Sequence, residues 1–246
     1  MNENLQAMLK YLRLGGLLGD WDQTLERARK GRFSHARLLN EVVEAEYKRK
    51  RENARQHRLR RAHIPEELVM ETYPFDKQPN LNRQALLSLY DAFDYMANAQ
   101  NIIWIGPTGC GKTGLATAFL IDAINRGHCG RFVTFAELVG DLRASGADYS
   151  EAKVLKQYLA PDCLLIDELG YIEIEPAQVG LFFTLLQRRH RKRPTLITSN
   201  LGFSDWHSFL KNDHLAVALI DRLTSNSYVL NMKKCRGLRP EPLPIP

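Results

Sequence analysis

Nowhere in the 246 residues does an apolar run approach the roughly 18 to 20 residues of a helical membrane span, which excludes a helical integral membrane protein. The N-terminus, Met-Asn-Glu-Asn-Leu, lacks the basic-then-apolar pattern of a secretory signal, so a cytoplasmic location is expected. Cysteine is scarce, with four residues at 110, 129, 163 and 235, no CxxC pair and no His at metal-ligand spacing. That scarcity excludes a disulfide scaffold or a zinc module and predicts reduced thiols. Internal repeats are missing too. What remains is 44% apolar and 25% charged, ordinary for a folded chain. The length suits one α/β domain with a modest accessory segment.

Net charge is +6, but its distribution is uneven. Residues 1–70 hold 15 Lys+Arg against 10 Asp+Glu, residues 71–187 hold 8 against 14, and residues 188–246 hold 11 against 4. An acidic middle between basic flanks points to a polyanionic partner at the flanks.

The first 70 residues have helical periodicity. Leu5, Met8, Leu9 and Leu12 form a stripe that Gly15-Gly16 is expected to end, and Trp21, Leu25 and Ala28 form a second, closed near Gly31. Ser34 suits the N-cap of a third helix, with Leu38, Leu39, Val42 and Ala45 expected inside. Beyond Tyr47 the stripe almost stops. Lys48, Arg49, Lys50, Arg51, Arg55, Arg58, Arg60 and Arg61 face only Glu52, and Pro65 marks a boundary. Such a run is expected to be solvated or to lie along something negative. Residues 71–81 have the character of a connector, residues 82–238 of an α/β domain, and the Pro-rich 239–246 of a loose tail. Within 82–238 a helix near 82–98 precedes apolar runs at 101–105, 131–135, 163–166 and 195–198, each followed by a helical or turn-rich stretch. This alternation predicts a parallel sheet flanked by helices on both faces.

The strongest local signal is Gly106-Pro107-Thr108-Gly109-Cys110-Gly111-Lys112-Thr113, a full GxxxxGK[ST] P-loop between a buried-strand run and a helix-compatible run that opens at Gly114. Glycines let backbone N–H groups approach phosphates unobstructed. Lys112 suits the β- and γ-phosphates of ATP, the Thr113 hydroxyl suits Mg2+, and the helix N-terminus adds its dipole. Cys163-Leu-Leu-Ile-Asp-Glu168 has the Walker B form, with Asp167 expected on Mg2+ and Glu168 expected to deprotonate water. Asn200 ends another apolar strand and suits a γ-phosphate sensor, a turn-forming Asn being the ordinary alternative. Arg222 is on an amphipathic helix turn, where a surface ion pair is the ordinary alternative to an arginine finger.

In order along the chain, Gly106–Thr113, Leu164-Leu-Ile-Asp-Glu-Leu-Gly-Tyr171, Thr198-Ser-Asn200, Phe203-Ser-Asp-Trp206 and Ala218-Leu-Ile-Asp-Arg-Leu223 resemble the IstB-like ATPases. These are transposition helper proteins related to DnaC-type helicase loaders within the AAA+ superfamily. Leu12-Arg-Leu14, the stretch from Ala45 to Arg51 and Phe75-Asp76 extend the resemblance over about residues 5–235. It implies a P-loop AAA+ core preceded by a small all-helical N-terminal domain and without a C-terminal lid domain. It also implies ATP and Mg2+ as cofactors, self-assembly on double-stranded DNA as a homo-oligomer, and a cognate transposase as partner. Asn200 matches sensor 1 and Arg222 the arginine finger, which the family supplies from the neighbouring subunit; Arg189 matches a recurrent Arg of open role.

Three positions depart from the family pattern: Gly114 stands where His is usual, Arg189-His190-Arg191 where Arg-Tyr-Glu is usual, and Lys234-Cys235-Arg236-Gly237 replaces a Gly-x-Ser-Tyr-Arg element. The expected activity is a DNA-stimulated ATPase that assists a transposase, with Lys48, Arg49, Arg51, Arg55, Arg58 and Arg61 as candidate phosphate contacts and 188–193 as a further basic run. A DnaC-like helicase loader is the alternative with the same core. A small-molecule P-loop kinase is a third class, opposed by the Asp-Glu Walker B, the sensor-like Asn and the basic flanks.

Overall fold

The computed structural model describes residues 1–147, 150–211 and 213–238, so the expected loose tail at 239–246 lies outside the described residues. The chain divides into two compact units, Met1–His57 and a second that begins at Arg58.

The first unit is helical: α1 (Glu3–Tyr11), α2 (Gly15–Gly19), α3 (Trp21–Lys30) and most of α4 (His35–Arg61). Ser34 caps α4 through Arg37 N–H, as the sequence suggests, and Asn2 caps α1 through Leu5 N–H. The Gly15-Gly16 pair does not simply end a helix; it opens α2. The buried Glu46 carboxylate accepts both Gly16 N–H and Leu17 N–H, capping α2 from α4. A Cβ on Gly16 would lie 2.6 Å from Glu46 Oε2, so only glycine admits this cap. On α4, Leu38 and Val42 are half-buried while Leu39 is exposed, a narrower inner face than the apolar count predicts.

The second unit holds a five-stranded sheet of β1 (Asn101–Ile105), β2 (Gly130–Thr134), β3 (Cys163–Leu169), β4 (Thr195–Ser199) and β5 (Ser227–Asn231), in the order β2-β3-β4-β1-β5 and parallel throughout. The helices are α5 (Arg83–Ala92), α6 (Asp94–Ala97), α7 (Lys112–Asn125), α8 (Phe135–Ala147), α9 (Glu151–Leu159), α10 (Pro176–Arg189), α11 (Trp206–Leu210) and α12 (Asp213–Thr224). Every residue of β1 and β4 is buried, which is why these runs are continuously apolar rather than alternating. Successive side chains still go to opposite faces. Ile103 and Ile105 join Phe135, Tyr158, Phe182 and Trp206 among α8–α12, whereas Ile102 and Trp104 join Leu86, Tyr95 and Phe119 among α5–α7.

Two features differ from the sequence reading. β5 is an edge strand with Tyr228 and Val229 partly exposed, so Ser-Tyr-Val-Leu-Asn carries no buried-run signature. The end of the basic run is not wholly solvated: Leu59 and Ala62 are buried in the second unit's core, and Ala62 C=O accepts Phe132 N–H of β2. Two small or aliphatic residues among arginines are too few to raise an apolar stripe. Cys110, Cys163 and Cys235 are buried, Cys129 is exposed, and all four are free. Among the described residues no helix is long and apolar enough to cross a membrane.

Candidate nucleotide-binding site

The C-terminal ends of β1, β3 and β4 open at one edge of the sheet, and the loop from β1 into α7 crosses that edge. Gly109 (φ +81°) and Gly111 (φ +90°) take left-handed backbone, the alternation that turns successive N–H groups toward one concavity. At Gly111 a Cβ would also meet the Tyr73 ring at 2.6 Å. Lys112, the first residue of α7, is nearly buried, and its Nζ donates to Gly106 O and Pro107 O at 2.8 Å each. The loop thus holds its own cation over the cradle.

When N–H groups converge inward, the loop's carbonyls point outward and need donors. Residues far away in sequence supply them. Tyr73 Oη donates to Cys110 O at 3.0 Å, Gln78 Nε2 to the same oxygen at 3.3 Å, and Leu238 N–H to Gly109 O at 2.8 Å. Burial raises the Tyr73 phenol well above its ordinary range, so it keeps its proton. The buried Gln78 amide also donates to Arg236 O and accepts Arg236 N–H, tying the C-terminal segment to the residues before the sheet. The 71–81 connector is therefore a brace under the loop.

Thr113 Oγ1 donates to Asp167 at 2.9 Å (Oδ1) and 3.2 Å (Oδ2), joining the P-loop to the end of β3. Asp167 is buried and Glu168 is exposed, although adjacent strand residues face opposite sides of a covered sheet. A bulge explains it. Ile166 pairs with Ile197 but Leu169 pairs with Ser199, so β3 carries one extra residue there, and Glu168 has φ +58°. The hydroxyls of β4 take over the disrupted ladder: Thr198 Oγ1 accepts Glu168 N–H at 3.0 Å, and Ser199 Oγ donates to Leu169 O at 2.7 Å.

A cavity of about 600 Å³ lies over this edge, and Thr108, Gly109, Gly111, Lys112, Thr113, Glu168 and Asn200 line it. The structure thus brings together P-loop, Walker B and Asn200. Glu66, Leu68, Tyr171, Thr198 and Leu238 also line it, and the sequence reading gave them no individual role. Leu68 and Leu238 carry no local signal. Leu68 also lies close to Gly114: a Cβ there would meet Leu68 Cδ1 at 3.2 Å, so a side chain at this position requires the leucine to shift by a few tenths of an ångström.

The residues fit a phosphate chain with a hard divalent ion. Glycines leave the cradle open, and a hydroxyl and a carboxylate meet beside it, hard oxygen donors of the kind that bind Mg2+ alongside phosphates and water. Among the described residues no cluster of three His, Cys, Asp or Glu side chains offers an all-protein metal site.

A family model for the IstB-like ATP binding protein matches residues 7–237. The chain belongs to the IstB-like family. It is 29% identical over 233 residues, 95% of this chain and 92% of the other, to an insertion sequence IS5376 ATP-binding protein of Geobacillus stearothermophilus. It is 30% identical over 229 residues, 93% and 86% of the two chains, to an insertion sequence IS21 ATP-binding protein of Pseudomonas aeruginosa. Its fold resembles the DnaC helicase loader, with a TM-score of 0.53 at 22% identity over 61% of this chain and 87% of that one. The chain thus belongs to a family of ATP-binding proteins, and it carries a P-loop on a parallel, helix-flanked sheet with a helical N-terminal region.

The remaining candidates lie elsewhere. Arg222 is not among the cavity's lining residues; its guanidinium stacks 4.8 Å over Phe183 of α10. Arg189, whose role the sequence left open, is 1% exposed. It donates to Thr195 Oγ1 and to the carbonyls of Tyr158, Pro161 and Pro194, stapling α10 to the loops that enter β3 and β4. Burial brings it down to about 10, so it stays charged at neutral pH. In the 188–193 run Arg193 likewise donates to Leu159 O and Ala160 O, leaving Arg188, Arg191 and Lys192 as its exposed cations.

On α4, Lys48 pairs with Glu44 and Arg55 with Glu52, whose carboxyl the hydrogen bonds from Arg55 lower to about 2. Arg49 donates to Gly15 O, Arg51 stacks over Tyr47, and Arg58 donates to Ile124 O at the end of α7. Arg61 is exposed.

Proposed function

We propose that this IstB-like protein is a Mg2+-dependent, DNA-stimulated ATPase that assembles on double-stranded DNA as a homo-oligomer and assists a cognate transposase in target selection and insertion. The observation that carries the reading is the convergence of Lys112, Thr113, Glu168 and Asn200 on one cavity, with Asp167 bonded to Thr113 beside it, in a chain whose relatives are insertion-sequence proteins. On ATP binding the Lys112 ammonium exchanges two neutral carbonyls for β- and γ-phosphate oxygens, and charge-assisted bonds are about twice as strong as neutral ones. Thr113 and Asp167 would hold Mg2+, which would supply positive charge against the phosphate oxygens. Glu168 accepts a proton from the attacking water and Asn200 orients it. The side chain of Arg222, placed away from its own cavity, is suited to reach the cavity of a neighbouring copy. The basic residues of α4 supply phosphate contacts that position without reading sequence.

Mixing two variants tests the composite site. Glu168→Gln keeps the finger without the base, and Arg222→Ala keeps the base without the finger. Each alone is expected to turn over ATP at least about 100-fold more slowly than the unaltered chain. Mixed on duplex DNA, some interfaces pair an intact base with an intact finger, so activity partly returns. A co-assembled mixture that stays inactive places Arg222 in its own chain's structure instead. A helicase-loading role is the second reading, because the core has the fold of the DnaC loader; co-elution with a replicative helicase rather than a transposase would favour it.

A further inference from the structure

The bulge in β3 leaves a backbone N–H and a buried carboxylate to be satisfied side by side, and one hydroxyl on β4 serves both. Thr198 Oγ1 donates to Asp167 Oδ1 at 2.5 Å and accepts Glu168 N–H at 3.0 Å. The residue is 1% exposed yet forms part of the cavity wall. We propose that Thr198 is a positioning residue for both Walker B carboxylates, an inference that rests on the ATPase reading above.

The hydroxyl acts on Asp167 directly. Asp167 has two hydroxyl neighbours: Thr113, which reaches both of its oxygens, and Thr198, which engages Oδ1 alone. Thr113 belongs to the phosphate loop, so its hydroxyl is the one that reorients when nucleotide enters. Thr198 belongs to a fully buried strand, and its bond sets the carboxylate's orientation whether or not the cavity is filled.

On Glu168 the hydroxyl acts through the backbone. A residue with a side chain stays at φ +58° only where its surroundings hold it. The Glu168 N–H bond to Thr198 is such a hold, and the left-handed turn is what brings the Glu168 side chain to the cavity rather than into the core. One hydroxyl therefore couples the metal-side carboxylate to the placement of the base.

The test compares Thr198→Val, which keeps the shape and removes the hydroxyl, with Thr198→Ser, which keeps the hydroxyl. Two readouts are taken on the full chain: affinity for a fluorescent ATP analogue with and without Mg2+, and steady-state turnover. Thr198→Val is expected to bind the analogue normally in EDTA, to lose most of the tightening that Mg2+ brings with a matching rise in KM for Mg-ATP, and to lower kcat by about 100-fold. Thr198→Ser is expected to restore both. If Val is not accommodated and the variant fails to fold, Thr198→Ala carries the same comparison.

Unchanged Mg2+ tightening together with unchanged kcat in the Val variant overturns the proposal. So does a Ser variant as impaired as Val with a lowered melting temperature, since packing alone would then explain both. If the unaltered protein binds ATP but hydrolyses none, the ATPase reading fails by itself. The Mg2+-dependent affinity still decides for Thr198, its loss in Val supporting the hold on Asp167 and its persistence overturning it.

Discussion

Arg189 shows how far a single side chain's role depends on its surroundings. Its guanidinium is buried and, among the described residues, forms no ion pair with a carboxylate; one hydroxyl and three carbonyls answer it instead. Removing it leaves those buried acceptors without donors, at about 1–3 kcal/mol for each unsatisfied group. Arg189→Leu is expected to lower the unfolding free energy by about 3–5 kcal/mol in urea denaturation, and Arg189→Lys to recover little of it, because an ammonium cannot reproduce the planar fork. A loss within about 0.5 kcal/mol would mean that the site rehydrates easily. In the sequence this residue is one cation in a basic run, and nothing local separates it from Arg188 or Arg191.

At the scale of elements, helix starts are set by short-range chemistry. Thr134 and Glu137 form a reciprocal cap at the start of α8: Glu137 N–H donates to Thr134 Oγ1 at 3.2 Å, while Glu137 Oε2 accepts Thr134 N–H at 3.0 Å. The Thr-x-x-Glu spacing was visible in the sequence, although the sequence reading did not use it. The hydrogen bonds from the Thr134 backbone and hydroxyl hold the Glu137 carboxyl below its usual value. A lowered folded pKa means that the cap's contribution is present above the ordinary carboxylate range and fades as pH falls through the folded value. Thr134→Ala is expected to cost about 1 kcal/mol at neutral pH. Its deficit relative to the unaltered chain should shrink in acid, when Glu137 is protonated in both proteins. A deficit that does not change with pH would assign the loss to the hydroxyl alone.

For the molecule as a whole, the partition of the basic residues matters more than the net charge. Arg58 and Arg193 donate to carbonyls and Arg189 is buried, so only part of each basic flank is available to a polyanion. Arg51, Arg60 and Arg61 are exposed. If α4 lies along duplex phosphates, replacing these three with Ala flattens the plot of log K against log salt by up to about 2–3 units, at about 0.9 per phosphate contact. Measurement by fluorescence anisotropy at several salt concentrations decides it. An unchanged slope moves the binding surface elsewhere, with Arg188, Arg191 and Lys192 as the next to replace. Sparing Arg58 keeps the test from also unbinding the end of α7.

Sequence alone determined whatever is contiguous. The strand, P-loop and helix from Asn101 to Asn125 follow one another in the chain, and the Asp-Glu pair directly ends its own apolar run. The same locality made Ser34 legible as a cap and Gly31 as a helix end. Tertiary structure decided what depends on register and on distant neighbours. The turn that separates Glu168 from Asp167 comes from one extra residue in β3 measured against β4. The P-loop's outward carbonyls are met by Tyr73, Gln78 and Leu238, and Gln78 reaches a partner 158 residues away. The resting place of Arg222 on Phe183 likewise joins two helices. The physical reason is one of range: propensity, capping and turn chemistry act over three or four residues. A hydrogen bond across the sheet exists only once the chain has closed the loop between its ends.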